Sequence, residues 1–314
     1  MPIDRNSKIV TIFGGSGFIG RYVCEALAKS GVRIRIAERD PRKAWFLQPL
    51  GGVGQVTTAV ADLGRPETID RAVEGSAAVI NLVGIFKGNL DKIHVEGAGR
   101  AAAAARATGA SAFVHVSAIG ADPESASDYG RTKGLGEQAV RSAFRGATII
   151  RPSVVFGPED NFTNRFASMA QLPLVPVIAP GTRFQPLFVR DLARAIAAAA
   201  LDPASFGGKS FELAGSEVLT MRALNERIAD MAGQRPAFVD LPDFAASGMA
   251  MFGFLPGAPL TRDQWIMLQK DNVASGRLPG LKAFDISPTP LAAVAPEWLG
   301  RFRKGGRFAP RPTA

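Results

Sequence analysis

The amino-acid sequence predicts an α/β protein: a doubly wound parallel sheet with a smaller, partly interleaved C-terminal α/β cap domain. Three observations predict it. Strand and helix patterns alternate through the first half, the strand segments are almost entirely apolar, and a glycine-rich turn joins the first strand to the first helix. Strands without polar alternation are typical of a parallel sheet that helices cover on both faces.

The predicted strands are spaced so that a helix fits between most successive pairs. The helix after the first strand is GFIGRYVCEALAKSG, which ends on a glycine suited to cap it. The clearest later helix covers 95–109. The six strand segments are KIVTIF (8–13), VRIRIAE (32–38), VGQVTTAVADL (53–63), AAVINLVG (77–84), AFVHVSAIG (112–120) and ATIIRPSVVFG (147–157).

The turn FGGSGFIG places Gly14, Gly17 and Gly20 directly after a strand and at the start of a helix. Glycines there allow a tight turn, close approach of the backbone to a pyrophosphate and close helix–strand packing, while the helix N-terminus attracts the anion. Because the strand–turn–helix context is the one such a motif requires, the turn predicts a bound dinucleotide.

The end of the second predicted strand carries conflicting signals about the dinucleotide. Glu38 stands where an acid binds a ribose 2′-hydroxyl, which favours NAD(H). Arg39 and Arg42 are placed to receive a 2′-phosphate, which favours NADP(H). Asp62, after the third strand, is placed to contact the adenine amino group or to cap the next turn. The balance favours NADP(H) over NAD(H).

The pattern changes after Arg151. The segment at 171–186 is proline-rich and predicts a loop, whereas LFVRDLARAIAAAAL and TMRALNERIADMAG predict helices and KSFELAG a short strand. We therefore expect these parts: an NAD(P)-binding domain over 1–157 with 185–201 packing back on it, a smaller substrate- or partner-docking domain formed by 158–184 and 202–300, and a basic tail over 301–314.

Composition restricts the class of protein. The formal charge is +9, but basic residues are dispersed except in the tail RFRKGGRF, so we expect no nucleic-acid partner. The single Cys24 excludes an internal disulfide and indicates core packing. No metal-ligand set, signal peptide or transmembrane-length apolar run is found in the sequence. We expect a cytoplasmic protein, soluble or peripheral on the inner membrane.

The segment ASDYGRTKGLGEQAV (126–140) contains a Tyr-x-x-x-Lys pair, Tyr129 and Lys133. On a helix this spacing places both side chains on one face, and an ammonium beside a phenol lowers the pKa of the phenol. The pair therefore suits either proton transfer during hydride transfer or a grip on a cofactor without turnover.

Taken together, these motifs resemble the extended branch of the short-chain dehydrogenase/reductase superfamily. The segments GGSGFIG, VADL, VINLVG, VHVSAIG, YGRTK and IIRPSVVFGPED occur in the family's order across 8–160. The resemblance implies a Rossmann-like domain with Tyr129 as acid/base, Lys133 as its pKa-lowering, ribose-binding partner and Ser117 as the substrate-orienting hydroxyl. It also implies cofactor contacts from Gly14, Gly17, Phe18, Ile19, Gly20, Arg39, Asp62, Leu63, Val83, Gly84, Ser117, Tyr129, Lys133 and Pro152.

Two positions depart from the family pattern. His94 stands where many relatives carry an asparagine, and Ala118 occupies the more usual position of the hydroxyl. His115 alternates inward on a strand and is interpreted as a core histidine. The acid/base set is therefore incomplete, which favours a cofactor clamp over catalysis.

A narrower resemblance covers nearly the whole chain, to the alpha-subcomplex subunit 9 family of respiratory complex I in a bacterial form. It is carried by HVSAIGAD, RPSVVFGPEDNFTNRFA, TRFQPLFVRDLARAI, FELAGSEVLTMRAL, TRDQWIMLQKDNVAS and DISPTPLAAVAPEWLGRFR. The resemblance implies a tightly held structural NADPH, complex I subunits as partners and a role for Arg39 in favouring NADP(H).

The segment FAASGMAMFGFLPGAPL (244–260) is uncharged and too interrupted by Gly and Pro to span a bilayer. With 172–181, it is either a partner or membrane-interface surface, or the lining of the small domain's core or of an apolar pocket. The basic tail suits acidic headgroups or an acidic subunit.

Three functions remain open from the sequence. The first is an NADP(H)-holding accessory subunit of respiratory NADH:quinone oxidoreductase (complex I), whose cofactor is structural. The second is an active NAD(P)-dependent reductase, dehydrogenase or epimerase acting on a hydrophobic hydroxyl or carbonyl compound. The third is a nucleotide-sensing regulator that binds NADP(H) reversibly.

Overall fold

The computed structural model describes residues 8–251 and 260–306. Within them the chain divides into two compact units. The first unit comprises 8–152, 189–213 and 276–286, and the second comprises 153–188, 214–251, 260–275 and 287–306.

The described strands are β1 (Ile9–Phe13), β2 (Arg33–Glu38), β3 (Val56–Val60), β4 (Ser76–Asn81), β5 (Ala112–Val116), β6 (Thr148–Pro152), β7 (Val155–Phe156), β8 (Leu174–Val177), β9 (Arg183–Phe184), β10 (Leu187–Phe188), β11 (Ser210–Leu213), β12 (Leu219–Thr220) and β13 (Ala237–Asp240). The described α-helices are α1 (Phe18–Lys29), α2 (Pro66–Val73), α3 (Ala98–Ala107), α4 (Asp128–Ala143), α5 (Thr163–Met169), α6 (Val189–Leu201), α7 (Pro203–Phe206), α8 (Met221–Met231), α9 (Asp243–Met251), α10 (Arg262–Leu268), α11 (Leu291–Val294) and α12 (Pro296–Leu299). A π-helical turn covers Asp91–Gly97, and 3₁₀ segments cover Pro41–Leu50, Leu281–Phe284 and Gly300–Phe302.

The first unit is built on a seven-stranded sheet of order β11-β6-β5-β4-β1-β2-β3, in which every neighbouring pair is parallel. Strand order reverses between β1 and β4, so the loops after these two strands diverge at the carboxyl edge. In doubly wound sheets this crevice is where ligands bind. The predicted fold class, a Rossmann-like doubly wound parallel sheet, is confirmed.

Helices cover both faces of this sheet. On one face α1 packs beside α6, and on the other α2, α3 and α4 pack over Phe13, Val79, Phe113 and Ile149. Five of the seven alanines of α3 are buried in that core. Small side chains let α3 lie close to the sheet and to α4, which explains why this helix is rich in alanine.

Some elements differ from the sequence prediction. The predicted sixth strand is divided, because β6 ends at Pro152 and β7 begins at Val155. The strand predicted within 209–215 is β11, which hydrogen-bonds to β6 and forms one end of the large sheet. The predicted helix over 95–109 begins earlier, as the π-helical turn from Asp91.

The second unit contains three two-stranded sheets: β7 with β10, β8 with β13, and β9 with the antiparallel β12. The predicted loop at 171–186 is wrong at β8 and β9. Pro176 is tolerated in β8 because β13 is its one neighbour among the described strands, and the other side of its backbone needs no donor for a ladder.

Part of the segment predicted as a docking surface or core lies in α9, where Phe244 is exposed and Ala246 is buried. Residues 252–259 of that segment, and 307–314 of the predicted basic tail, lie outside the described residues. Among the residues that are described, no helix is both long enough and apolar enough to cross a bilayer.

Candidate functional site

The glycine-rich turn after β1 is held by its own backbone. Gly14 has φ +79°, in the left-handed region that favours glycine, and its carbonyl accepts a hydrogen bond from the Gly17 N–H at 3.2 Å. A Cβ on Gly20 would lie 2.4 Å from the Gly14 oxygen and 2.5 Å from the Gly15 oxygen. Only glycine at position 20 therefore lets α1 begin against the turn.

The N-terminus of α1 offers backbone amides to a ligand. Gly17 is the N-cap, no described side chain caps the helix, and its first turn, which contains Phe18 and Ile19, holds no acidic residue. The helix dipole and its unpaired amides favour an anion at this position. The residues fit the pyrophosphate of a dinucleotide, because the glycines leave the backbone uncovered and no carboxylate in the first turn of α1 opposes the charge.

Glu38, at the end of β2, is tied to the glycine turn. Its Oε1 accepts from the Ser16 N–H at 2.9 Å and from the Ser16 hydroxyl at 2.7 Å. Sequence reasoning did not single out Ser16; a hydroxyl inside the glycine turn, facing an acid at the next strand end, is the signal that could have found it. The carboxylate is thus already engaged within the protein.

The two arginines after β2 differ. Arg42 forms a two-pronged ion pair with Asp40, with Nε–Oδ1 and Nη2–Oδ2 distances of 2.9 and 3.1 Å, and this pair holds the pKa of Asp40 below its usual value. Arg39 is exposed. Among the described residues, Arg39 forms no ion pair that a phosphate would have to displace, whereas Arg42 does.

The loop after β3 places Asp62 and Leu63. The Asp62 Oδ1 accepts from the Gly64 N–H at 2.8 Å, so this carboxylate caps the turn, one of the two roles that the sequence left open. Leu63 is buried, and a Cβ on Gly97 of the π-helical turn would lie 2.7 Å from its carbonyl oxygen.

The end of β4 fixes the tautomer of His115. The Asn81 Oδ1 accepts from the Val83 N–H at 3.1 Å, so the Asn81 amide nitrogen must donate to the His115 Nδ1, 3.2 Å away. The proton of His115 therefore sits on Nε2, which is buried and has no described partner. Burial, followed by the charge of Lys133, lowers the pKa of His115 well below its ordinary value.

His94, on the π-helical turn, has the opposite tautomer. Its Nε2 accepts from the Ile85 N–H at 3.0 Å, so Nδ1 carries the proton and donates to the Thr132 hydroxyl at 2.9 Å. Burial and the Lys133 charge lower the pKa of His94 to about 4. Both ring nitrogens are used inside the protein, so His94 joins the loop after β4 to α4 as a neutral group.

Tyr129, in the first turn of α4, is covered by aromatic rings. The Phe86 ring stacks on it with centroids 4.5 Å apart and planes 15° apart, and the His94 ring meets it edge-on at 5.6 Å. Burial raises the pKa of Tyr129 to about 12. This direction is opposite to the one that proton transfer near neutral pH requires.

Lys133 lies one turn further along α4 and is buried. Its Nζ donates to the Val116 carbonyl at 2.7 Å, and burial lowers its pKa to about 8, against the opposing effect of Glu137. Glu137 itself is held by Arg151 through two hydrogen bonds of 2.8 and 2.7 Å. The lysine thus lies beside the carboxyl end of β5, close enough to Glu137 for that carboxylate to act on its pKa.

The other predicted contacts lie at the same edge of the sheet. Ser117 directly follows β5, its N–H donates to the Ile150 carbonyl at 2.7 Å, and its buried hydroxyl has no described partner. Pro152 ends β6, and Val83 and Gly84 follow β4. The unsatisfied Ser117 hydroxyl and His115 N–H fit a bound group with hydrogen-bonding atoms, since such groups are costly to bury alone.

Glycines in α4 complete the arrangement. A Cβ on Gly136 would lie 2.2 Å from the His94 carbonyl oxygen, and one on Gly134 would lie 2.5 Å from the backbone around Asp122. These glycines, with Phe86 and Thr132, are residues that sequence reasoning missed. Three glycines within one helix, a poor composition for that element, are the signal that could have indicated close backbone packing here.

Comparison with known families gives one broad match. The sequence model of the NAD dependent epimerase/dehydratase family matches residues 10–214. The matched region contains the glycine turn after β1, the carboxyl ends of β2 and β3, and α4 with Tyr129 and Lys133.

Named relatives fall into two kinds. The chain is 34% identical over 304 residues to NADH dehydrogenase [ubiquinone] 1 alpha subcomplex subunit 9, mitochondrial, of Mus musculus, covering 94% of this chain and 80% of that protein. The Arabidopsis thaliana protein of the same name is 33% identical, with 95% and 79% covered. A ceramide reductase of Caulobacter vibrioides is 33% identical over 241 residues, with 75% and 74% covered.

Solved structures share the fold at low identity. An NADPH-dependent quinone oxidoreductase of Escherichia coli, complexed with NADPH, has a TM-score of 0.75 and 21% identity, covering 92% of this chain and 99% of that chain. A triphenylmethane reductase of Citrobacter has a TM-score of 0.75 at 18% identity, with 92% and 99% covered. At these identities the likeness shows the fold alone.

Proposed function

The chain belongs to the NAD dependent epimerase/dehydratase family, and we propose that within it this protein is an NADP(H)-holding accessory subunit of a respiratory NADH:quinone oxidoreductase. It holds the nucleotide as a structural element rather than turning it over. The protein is peripheral on the cytoplasmic face of the inner membrane, with complex I subunits as its partners.

The observation that carries the proposal is the state of Tyr129. A nicotinamide nucleotide supplies a hydride when it reacts, and the family's chemistry then needs a proton from a nearby group. Here the phenol lies under Phe86 and against His94, and burial raises its pKa to about 12. A group tuned in this direction is a poor acid or base at neutral pH but remains a good hydrogen-bond donor to a ribose.

The relatives support the same assignment. The alpha subcomplex subunit 9 proteins align over 94% and 95% of this chain, whereas the ceramide reductase aligns over 75%. Similarity that extends through the second unit favours a function shared with the accessory subunits. The Ser117 hydroxyl, Tyr129 and Lys133 then serve to hold the nicotinamide half of the nucleotide.

Arg39 supports NADP(H) as the nucleotide held. The exposed guanidinium follows β2 directly, where it can bind a 2′-phosphate with charge-assisted hydrogen bonds. Glu38 would repel that phosphate if its carboxylate faced it, but both described hydrogen bonds of this carboxylate go to Ser16. The 2′-phosphate is therefore assigned to Arg39, with Glu38 turned toward the glycine turn.

The experiment is to release and identify the nucleotide. Purified full-length protein is denatured, and the nucleotide in the supernatant is quantified against protein. We expect about one NADP(H) per chain, which survives extensive dialysis of the native protein and co-fractionates with complex I in native membranes. A protein that purifies without nucleotide, or that never accompanies complex I at any salt concentration, would contradict the proposal.

A second candidate function is a reductase of a hydrophobic carbonyl compound, which the similarity to a ceramide reductase favours. This activity requires Phe86 to leave the Tyr129 ring so that a carbonyl can approach the phenol. The test follows NADPH absorbance with a long-chain ketone such as 2-tridecanone as the probe. Steady oxidation of NADPH that Tyr129→Phe abolishes would favour the reductase over the accessory subunit.

A further inference from the structure

The outer edge of the sheet domain carries an apolar surface that the nucleotide site does not use. β3 ends the sheet, and the 3₁₀ segment Pro41–Leu50 packs against it. On this segment and the loop after it, Trp45 is 56% exposed, Phe46 is 51% exposed and Leu50 is 40% exposed, while Val53 is fully exposed. We call these four residues the apolar edge.

The apolar edge is held in place by the elements beneath it. Ala44 and Leu47, three residues apart on the 3₁₀ segment, are buried and attach it to the domain. The loop that bears Val53 is fastened by Gln55, whose amide accepts from the Gly52 N–H at 2.9 Å and donates to the carbonyls of Ala28 and Val32. Single exposed apolar residues are ordinary, but four within nine residues on an anchored segment mark an interaction surface.

Positive charge surrounds the apolar edge. The Arg21 guanidinium lies over the Phe46 ring at 5.1 Å, Lys43 is exposed, and Lys29 and Arg33 line a depression with Val53. Asp40, which precedes this segment, is paired with Arg42, and Glu25, one helical turn before Lys29, is paired with Lys29. Residues 41–61 contain no acidic residue.

We propose that the apolar edge docks onto a membrane surface that contains anionic lipid. Tryptophan and phenylalanine beside lysine and arginine are the composition of interfacial membrane contacts, where rings enter the headgroup region and cations meet acidic headgroups. Val53 projects from a glycine-flanked loop tip and needs no matching pocket in a fluid lipid layer. The proposal names the surface through which the protein contacts the membrane. Of the proposed function, it rests only on the peripheral location.

The test is flotation of the purified full-length protein with lipid vesicles. One set is phosphatidylcholine alone, and the other contains phosphatidylglycerol as well. We expect binding to the anionic vesicles only, and weakening of that binding by salt. The Trp45→Ala/Phe46→Ala variant and, separately, Val53→Asp should reduce binding by about tenfold or more.

The matched control is Leu201→Ala/Val218→Ala, which removes two apolar side chains of comparable exposure elsewhere. It should bind vesicles as the parent does. Circular dichroism checks that every variant keeps its fold. The two edge variants change different parts of the apolar edge, so one of them still tests vesicle binding if the other fails to fold. Absence of vesicle binding, or binding that both edge variants retain, would overturn the proposal.

The outcomes separate this proposal from the proposed function. If the parent protein does not bind vesicles yet still accompanies complex I and retains its nucleotide, the apolar edge contacts protein instead. The lipid proposal is then wrong, while the proposed function stands. If it binds anionic vesicles through the apolar edge but carries no nucleotide and never accompanies complex I, the function is wrong while the lipid surface stands.

Discussion

The two ends of the proposed nucleotide site are built on opposite principles. At the phosphate end, glycines hold the turn after β1 open and α1 begins without a side-chain cap, so backbone groups are available to a ligand. At the nicotinamide end, His94 is bonded at both ring nitrogens, Lys133 donates to Val116, and Phe86 covers Tyr129. The first end offers backbone groups to a ligand, whereas at the second end these side chains are engaged with one another and with the backbone.

The difference shows that binding and chemistry depend on separable features of one fold. Dinucleotide binding needs glycine at a few backbone positions and a helix N-terminus, and side chains elsewhere can change without loss of these features. Proton transfer needs a pKa near the working pH, which depends on burial and neighbouring charge around one side chain. A chain of this family can therefore keep its nucleotide while losing the tuning that turnover requires.

The largest expected effect is at the phosphate end. Gly20→Ala places a methyl group within 2.4 Å of the Gly14 oxygen, so α1 must shift and the anion cradle is lost. We expect bound nucleotide to fall about tenfold or more and the free energy of unfolding to drop by roughly 1–3 kcal/mol. The measurements are nucleotide per chain after denaturation and urea unfolding.

The control for Gly20→Ala is Gly181→Ala, where an added Cβ meets nothing within 4 Å. It should leave both quantities unchanged. Tyr129→Phe, at the other end, should keep most of the nucleotide. Equal nucleotide content in Gly20→Ala and the parent would remove the distinction between the two ends.

The next effect is a loss of stability in mild acid. The folded pKa of His94 is about 4 and its ordinary value is 6.5, and that of His115 is lowered in the same direction. Between these values the unfolded chain binds protons that the folded chain does not bind. The contribution of the neutral histidines to the free energy of unfolding is therefore complete above about pH 6.5 and is lost as the pH falls toward 4.

Each histidine adds up to about 1.4 kcal/mol per pH unit to the slope of the free energy of unfolding against pH. Urea unfolding between neutral and mildly acidic pH measures it, and His94→Gln should lower the slope by about half, because one of the two groups is gone. A slope that His94→Gln leaves unaltered would mean that this ring is not held neutral in the folded state.

Much of the phosphate end could be predicted from the sequence, because it depends on local order. Gly14, Gly17 and Gly20 follow a strand and open a helix. The positive φ of Gly14 is a local requirement, and a Cβ on Gly17 or Gly20 would meet the backbone of the same turn. The strands of the parallel sheet could likewise be predicted from their apolar composition. β8 was missed, and β11 was predicted as a short strand but not as a member of the large sheet. Those strands are short, and their pairing partners lie far away in sequence.

The nicotinamide end could be predicted in part. The spacing of Tyr129 and Lys133 places them on one face of a helix, but their pKa values depend on what the loop after β4 brings to them. The stacking of Phe86 and the bonding of His94 arise from long-range packing, which periodicity does not report. Ser16 and Thr132 could not be predicted as site residues, because hydroxyl residues are common and the partners of these two are distant in sequence.

A smaller effect separates the two arginines after β2. Arg39→Ala should weaken NADP⁺ binding by about tenfold or more, because a charge-assisted hydrogen bond to phosphate is lost. Arg42→Ala should change it by less than about twofold, since Arg42 is paired with Asp40 on the surface. Calorimetric titration with NADP⁺ and NAD⁺, after the bound nucleotide has been removed by unfolding and refolding, measures both. A larger loss in Arg42→Ala would reverse the assignment of the 2′-phosphate.

The smallest effect is spectroscopic and leaves function unaltered. The chain has two histidines, and the structure assigns them opposite tautomers, with the proton on Nδ1 of His94 and on Nε2 of His115. Proton–nitrogen NMR of the imidazole rings of untagged protein should show one ring of each kind at neutral pH. His94→Gln identifies the signals, and two rings with the same tautomer would contradict the bonding around Asn81 or Thr132.

The most direct test of the account is the ionisation of the Tyr129 phenol. The chain has two tyrosines, so Tyr22→Phe leaves Tyr129 as the only phenol, and its tyrosinate absorbance can be followed in the nucleotide-bound protein. If the nucleotide is held without turnover, the phenol stays protonated past its ordinary value of 10.0, toward about 12. Tyrosinate that forms near neutral pH would contradict the account, because such a phenol is poised for catalysis.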